Sequence, residues 1–314
     1  MSPVPPKTSH LERTATEPRD TDLHDVIIRD VRSVNESIRL FRLEIPGGTS
    51  IKFLAGQWLD TYVPSSPKAG GFTITSPPSK AECKPSSDAS NSEYPYLELA
   101  IQRSPLNPPA AFLFRPIDEI LGSTLRVRVG GSFVFPPPSV PASSISRVIF
   151  IAGGVGINPL ISMLSHIAEL KGRLSENTFD TEVHFFYSSR LPGGCSTADT
   201  TDDVIERTQH VLFLDRLATA WVEGHVKGKL RLFFTGNPPR PSGTVALQGM
   251  DFETHFRRMG LEDLRTAVGD KDQGLDSIAY VCGVPEMTDE FVRLLTSDKG
   301  LCMDKQRVFS EKWW

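Results

Sequence analysis

From about residue 23 to 135 the chain alternates apolar and polar positions with a period of two. Phe41, Leu43 and Ile45 alternate with Arg42 and Glu44, Leu97, Leu99 and Ile101 with Glu98, Ala100 and Gln102, and Leu125, Val127 and Val129 with Arg126 and Arg128. Such alternation turns one face inward and the other to water, and several such strands in series predict a small barrel or sandwich. Before them, residues 1–22 are rich in Pro, Ser and Thr and are expected to be disordered. Residues 79–95 are polar and Ser-rich, a flexible insertion between strands.

A proline run at Pro136–Pro138, followed by Pro141 and serines, marks a linker, and the pattern then changes. Arg147–Ala152 predicts a buried strand that runs through a glycine turn into a helix, where Leu160, Met163, Leu164 and Ile167 share one face. Asn158 and Pro159 suit the N-cap and first helical position. Val183–Tyr187, Val211–Leu214, Leu230–Phe234 and Ile278–Cys282 predict further strands. A helix follows the last of these, with Met287, Phe291, Leu294 and Leu295 on one face, and another is expected over Asp251–Val268. Strands alternating with helices imply a parallel sheet. The division expected is a barrel domain over 23–138 and an α/β domain over 145–314.

Composition narrows the function classes. With 314 residues the chain holds enough for two domains, 39% hydrophobic and 23% charged. A net charge of -4 gives no basic surface for nucleic acid, and no apolar run approaches the roughly 18 residues of a membrane span. Cys83, Cys195, Cys282 and Cys302 form no close pair, which argues against a zinc site or a built-in iron–sulfur cluster and fits a reducing compartment. No apolar secretory stretch opens the chain, and its early acidic residues make a poor transit peptide. The expected location is cytoplasmic, with a mitochondrial one left open.

Four segments carry candidate chemistry. Ile151-Ala-Gly-Gly-Val-Gly-Ile-Asn-Pro159 is a strand, a glycine turn and a helix start, a device that lets backbone N–H groups approach a pyrophosphate. It differs from the G-x-G-x-x-G spacing, and a tight turn without ligand is its plain alternative. Tyr280-Val-Cys-Gly-Val-Pro-Glu-Met287 repeats the design, so that Cys282 and Gly283 fall at a strand's ligand-binding end; a buried core cysteine is the alternative. Gly70-Gly-Phe-Thr-Ile-Thr-Ser76 offers Phe72 as a stacking ring and Thr73 as a hydroxyl, or is merely a barrel strand. The ending Phe309-Ser-Glu-Lys-Trp-Trp314 places two indoles where a terminus would fray, so they are expected to dock on the core or on a cofactor.

Together with Phe53-x-x-Gly-Gln57 and Gly130-Gly-Ser-Phe133, these motifs in this order resemble the ferredoxin–NADP reductase superfamily, from about residue 24 to the end. More closely, the chain looks like the oxidoreductase NAD-binding domain-containing proteins, which carry AGGVGINP and end in EKWW. The resemblance implies a six-stranded antiparallel FAD-binding barrel followed by a five-stranded parallel α/β domain for NAD(P). It implies that Phe72 stacks on the isoalloxazine and Thr73 bonds near its N5, with Gly130, Gly131 and Ser132 at the flavin pyrophosphate. Gly153, Gly154, Val155, Gly156, Ile157, Asn158 and Pro159 would line the nicotinamide nucleotide's pyrophosphate. Cys282 and Gly283 would contact the nicotinamide, Glu311 would polarise or relay protons near the flavin, and a terminal Trp would cover the ring. Trp314 is the expected cover, with Trp313 as the competing choice.

One departure stands out. The family's Arg-x-Tyr-Ser arginine, which neutralises a flavin phosphate, is Gly70 here. Losing such a charge-assisted bond costs roughly 1.5–3 kcal/mol. Arg103 is the expected substitute, a solvated strand-end arginine being the alternative. Arg190 closes Tyr187-Ser-Ser-Arg190, where an adenosine ribose would lie, and could pair with a 2′-phosphate; the expectation leans to NADH all the same. The function expected is an FAD-dependent NAD(P)H oxidoreductase with an unidentified acceptor, a protein or a small molecule. Two alternatives stay open: a flavin-free nucleotide-binding sensor or scaffold, and an electron-transfer subunit active only in a complex.

Overall fold

The computed structural model describes residues 9–64, 66–83, 94–173, 181–193, 200–236, 241–268 and 276–313, and the statements below concern those residues. The chain divides between Val134 and Phe135 into two compact units. The boundary thus falls just ahead of the Pro136–Pro138 run.

The first unit opens with the single helical turn α1 (His10–Arg13), then β1 (His24–Asn35), β2 (Ile38–Glu44), β3 (Trp58–Tyr62), β4 (Gly70–Thr73) and β5 (Tyr96–Gln102). Helices α2 (Pro108–Leu113) and α3 (Ile117–Ile120) precede the last strand, β6 (Thr124–Gly130). The strand order is β4-β3-β6-β1-β2-β5, with every pair antiparallel. An Ile74–Leu99 bridge joins the two ends, supported by Thr75 N–H donating to the Glu98 carbonyl at 2.8 Å. Closure removes the exposed sheet edges that would otherwise invite pairing with another chain. The alternating positions read from the sequence point inward: Phe41, Leu43, Leu97, Leu99, Ile101, Leu125, Val127 and Val129 are buried in one cluster. Helix α2 closes that cluster with Ala110, Phe112 and Leu113, and starts where Asn107 accepts from the Ala110 N–H.

Parity puts Asp60 on the other face. It pairs with Gly71 on β4 and Arg128 on β6, yet its carboxylate is fully buried. The cover comes from the N-terminal segment. His10 Nε2 lies 3.0 Å from one Asp60 oxygen, and Arg19 Nε and Arg128 Nη2 lie 3.0 and 2.7 Å from the other. Burial pushes the Asp60 pKa up, but the hydrogen bonds from His10, Arg128 and Arg19 outweigh it and hold the group below its ordinary value.

This ordering corrects the expectation of disorder over 1–22 for residues 9–22; residues 1–8 lie outside the described set. Composition predicted disorder because it cannot register three side chains converging on one buried charge. The expected insertion at 79–95 is likewise narrower. Pro78–Ala81 forms a 3-10 turn with Ser79 and Ala81 buried, and the Ile51 N–H donates to the Ala81 carbonyl. Residues 84–93 lie outside the described set.

The second unit comprises β7 (Arg147–Gly153), α4 (Ile157–Arg173), β8 (Glu182–Arg190), α5 (Thr201–Thr208), α6 (Leu214–Val222), β9 (Lys227–Thr235), β10 (Gly243–Leu247) and β11 (Met250–His255). It continues through α7 (Leu261–Val268), β12 (Ser277–Gly283), α8 (Pro285–Thr296) and β13 (Val308–Lys312). The sheet order is β10-β11-β9-β8-β7-β12-β13, parallel except for the β10–β11 hairpin. Four of the strands read from the sequence are present as β7, β8, β9 and β12; β13, not foreseen there, completes the five-stranded parallel run β9-β8-β7-β12-β13 that the resemblance implies, and the hairpin widens the sheet to seven.

Three local expectations change. The helix expected over Asp251–Val268 is strand β11 followed by the shorter α7, because Phe252 and Thr254 face inward with a strand's period. Val211–Leu214 is a turn that enters α6 through Phe213 at φ 58°, and Leu214, Leu217, Ala218 and Trp221 then bury at helical spacing. A four-residue apolar run does not separate strand from helix start. Helix α4 begins at Ile157 directly from the 3-10 turn Gly154–Gly156, so Asn158 is not its N-cap. Pro159 still lies in the first turn, where a missing N–H forfeits no intrahelical bond.

The Asp60 cluster yields a stability prediction. Asp60→Asn leaves Arg19 and Arg128 without a counter-charge and should cost about 3 kcal/mol, the low end for a broken buried pair, because both guanidiniums keep some solvent. Because the folded-state pKa is depressed, the Asp60 contribution is complete above the ordinary carboxylate value and is lost as pH falls through the folded one. Urea unfolding against pH should therefore show a larger acid-side loss in wild type than in the Asn variant; parallel curves would refute the assignment.

Candidate functional site

Strand β7 has β8 on one side and β12 on the other, so the chain reverses its direction of sheet growth there. Open α/β sheets bind ligands at the carboxyl ends of the strands flanking such a switch point. Here those ends are Gly153 and Gly283, the two glycine motifs singled out in the sequence.

The motifs pack on each other through missing side chains. A Cβ on Gly156 would lie 2.3 Å from the Cys282 carbonyl oxygen, and one on Gly153 would lie 2.3 Å from the Met287 sulfur. Gly154 differs: its φ is +54° and the space above it is open, so that turn of backbone is bare toward solvent. Val155 is half-buried beside it, while Ile157, Asn158 and Pro159 are buried in the first turn of α4. The 17-residue helix α4 directs its N-terminal dipole at this place, which favours an anion.

Cys282 is fully buried in β12, in register with Glu311 on β13. Burial, and then the Glu311 charge, push its thiol well above the usual range, while a hydrogen bond from Trp313 opposes them. It is therefore a neutral thiol beneath the strand ends, with no surface to offer a nicotinamide in this arrangement. Trp313 donates its indole N–H to Glu311 at 3.1 Å and its backbone N–H to the Gly283 carbonyl at 3.0 Å. The C-terminal indole is thereby docked at the Cys282–Gly283 turn; Trp314, the expected cover, lies outside the described residues. Arg190 ends β8 at the same carboxyl edge, its aliphatic stem beside the Gly236 turn.

The barrel residues sit differently from expectation. Phe72 belongs to the interior cluster and is 9% exposed, leaving little face for a ring to stack on. Its parity explains this, since Phe72 pairs with Leu59 and Leu59 with Val129, all core positions. A Cβ on Gly70 would come within 2.8 Å of the Phe72 ring and 2.9 Å of Pro109, so glycine replaces the family's arginine where packing leaves no room. Thr73 is buried opposite Trp58. Arg103 lines a cavity of about 560 Å3 with Ser33, Asn35, Glu36, Arg39, Phe114 and Pro116, to which Gly130–Ser132 contributes nothing. Arg19, which bridges Gly130, and Arg128, in the same strand, bring two cations near that turn, both paired with Asp60.

Gly130, Gly131 and Ser132 form a turn held by Gln57, whose side-chain amide donates to the Gly131 carbonyl at 3.0 Å. The chain's own N-terminal segment contacts that turn. Glu17 accepts from the Ser132 N–H at 3.1 Å and the Ser132 hydroxyl at 2.6 Å, and the Gly131 N–H donates to the Pro18 carbonyl at 2.9 Å. Sequence reasoning missed Glu17, His10, Arg19 and Asp60. An aspartate in the middle of the Trp58–Tyr62 strand was the one available signal.

No protein-family model matches the chain. A ferredoxin NADP+ reductase from Neisseria gonorrhoeae with bound FAD and NADP superposes with a TM-score of 0.58 at 18% identity, covering 94% of this chain and 100% of that one. The ferredoxin reductase in carbazole 1,9a-dioxygenase gives 0.60 at 17% identity, covering 93% and 70%. These likenesses establish the ferredoxin–NADP reductase-like two-domain fold. Oxidoreductase NAD-binding domain-containing protein 1 of Xenopus tropicalis is 30% identical over 308 residues, spanning 98% of this chain and 85% of that protein. With motif order, fold and near full-length identity in agreement, the chain belongs to the family of the oxidoreductase NAD-binding domain-containing proteins.

Proposed function

We propose that the protein is an NAD(P)H-dependent flavin reductase whose second unit holds the nicotinamide nucleotide at the Gly153–Ile157 turn. The observation that carries this reading is the pair of glycine turns at the sheet's switch point, one of them bare at Gly154 and backed by the N-terminus of α4. The turn's backbone and the helix dipole would hold the pyrophosphate. Arg190 would lie toward the adenosine end of the nucleotide, and Glu311, tied to Trp313, would fix the indole beside the Gly283 turn.

FAD, when bound, would supply the redox centre that accepts hydride. The donor set at Ser132 suits a phosphate oxygen, since its N–H and hydroxyl already converge on an anion, the Glu17 carboxylate. The structural neighbours support the pairing, one holding FAD and NADP and another named as a reductase in a dioxygenase. With no close cysteine pair for an internal cluster, the acceptor would be an external protein or a small molecule.

One set of observations favours a second reading, a nucleotide-binding module that works without flavin. Gly70 stands in place of the phosphate-binding arginine, Phe72 is buried, and Glu17 occupies the Ser132 donors. The visible spectrum of the purified protein, with and without added FAD, separates the two, together with NADH-driven reduction of a dye.

Two predictions test the nucleotide site. Gly154→Val puts a β-branched side chain at a positive φ and fills the open space above the turn. It should weaken NADH binding by about tenfold or more, the loss expected when one charge-assisted contact goes, without changing the barrel's unfolding. Wild-type affinity in that variant, measured by calorimetry, would remove the turn from consideration. For nucleotide choice the reading leans to NADH. A higher kcat/KM for NADPH that disappears in Arg190→Ala would reverse the lean and assign Arg190 to a 2′-phosphate.

A further inference from the structure

We propose that residues 9–20 act as a built-in occupant of the barrel's phosphate site, so that the segment and FAD exclude one another. This inference rests on the reading that the barrel takes a flavin, and concerns what stands in the way.

The segment is anchored along the rim of the barrel face where β3, β4 and β6 meet. Its C-terminal part continues the line of β1 beside β6: Arg19 bridges Gly130, and the Asp20 N–H donates to the Val129 carbonyl at 2.9 Å. Its N-terminal part begins with a capping box, Ser9 with Glu12, which starts α1 and aims His10 at the sheet. The His10 ring rests on Gly71, where a Cβ would lie 2.1 Å from it, and meets the Trp58 ring edge-on at 4.7 Å. Arg19 lies over the same indole, 5.0 Å from its centroid. Between these anchors Glu17 reaches the Ser132 N–H and hydroxyl.

Three features mark this as occupation of a site rather than ordinary packing. The group on Ser132 is an anion, held by a backbone and a hydroxyl donor as a phosphate oxygen would be. The Gly130–Gly131 backbone lies against the Trp58 ring, and its Gly131 N–H, a donor of the kind a phosphate would take, is already bonded to Pro18. Gly71, the neighbour of Phe72 and Thr73, is covered by an imidazole. A flavin diphosphate cannot use the Ser132 donors while Glu17 does, and it gains the Gly131 N–H only when Pro18 withdraws.

The contacts also make the segment releasable. Glu17 is half-buried, and no hydrophobic side chain of residues 9–20 belongs to the barrel core. Asp60 keeps Arg128 after His10 and Arg19 depart, so the barrel is not left with a wholly unpaired buried charge. An intramolecular competitor lowers apparent affinity by the fraction of molecules in which the site is free. A segment closed in nine molecules of ten weakens flavin binding about tenfold.

The test uses the full chain in three forms: wild type, Glu17→Gln and Glu17→Ala. Each is titrated with FAD by flavin fluorescence and digested briefly with trypsin, with and without FAD, following cleavage after Arg13. Both variants should bind FAD about tenfold more tightly than wild type, the Gln variant no more than the Ala variant. In wild type, FAD should speed cleavage after Arg13; in the variants, where Asp60 still holds His10 and Arg19, cleavage without FAD should stay close to wild type and FAD should speed it at lower concentration. Equal FAD affinity in all three, with cleavage unchanged by FAD, overturns the proposal while leaving the flavin reading in place. Slower cleavage with FAD also overturns it, because the segment would then lie over the flavin as part of its site. If none of the three binds FAD while all bind NADH, the flavin reading fails and this proposal fails with it.

Discussion

The barrel is organised around a carboxylate placed where water would ordinarily solvate it. Asp60 sits on the outer face of β3, and a charge there remains buried only if cations of matching geometry cover it. Arg128 arrives by strand register, directly across β3 and β6. His10 and Arg19 have no such register to bring them and come from a segment that lacks a core of its own. The charge thus recruits the N-terminal segment, and the segment in turn brings Glu17 to Ser132. One buried acid therefore sets the order of residues 9–20 and the state of the adjoining turn.

The α/β unit depends on a different constraint, close backbone approach. Strands β7 and β12 end side by side in glycine turns that would collide if either carried side chains. The Gly156 backbone lies against the Cys282 carbonyl, which brings the start of α4 to the strand ends and leaves Gly154 bare above them. Parallel strand β13 then places Glu311 beside Cys282 and carries Trp313 to the Gly283 carbonyl. The same geometry explains why the thiol is inert. A cysteine inside the sheet, next to a carboxylate, stays protonated and works as packing beneath the site.

The two units differ in how openly they present their candidate sites. In the α/β unit the proposed phosphate turn is accessible at Gly154, and the residues that crowd it lie below. In the barrel the corresponding turn is engaged by the chain itself, and the ring expected to stack is turned inward. Under the proposed function, this asymmetry makes nucleotide binding the standing capability and flavin loading conditional. It also gives the missing arginine a physical setting. Gly70 is tight against Phe72 and Pro109, so the barrel trades a cation for inward packing of the aromatic ring.

How much of this was legible in the sequence follows from the range of each interaction. Period-two alternation at Phe41–Ile45, Leu97–Ile101 and Leu125–Val129 fixes inward faces locally, and the structure buries those residues. The strand–glycine–helix segments at Gly153–Gly156 and Cys282–Pro285 are local too, because a bare turn and a helix start are written in consecutive residues. The helix expected over Asp251–Val268 and the strand expected over Val211–Leu214 differ from the structure because short segments take their state from neighbouring strands and helices. Phe72 could not be assigned a face, since either side of β4 is compatible with its sequence and only pairing with Leu59 turns it inward. The convergence of His10, Arg19 and Arg128 on Asp60 spans 118 positions from first to last, and nothing in the spacing of those residues announces it. By itself the sequence determined the two-unit fold and the strand–glycine–helix turn at Gly153–Gly156. Tertiary structure alone decided what covers the barrel face, because burying one charge required groups that only the folded chain brings together.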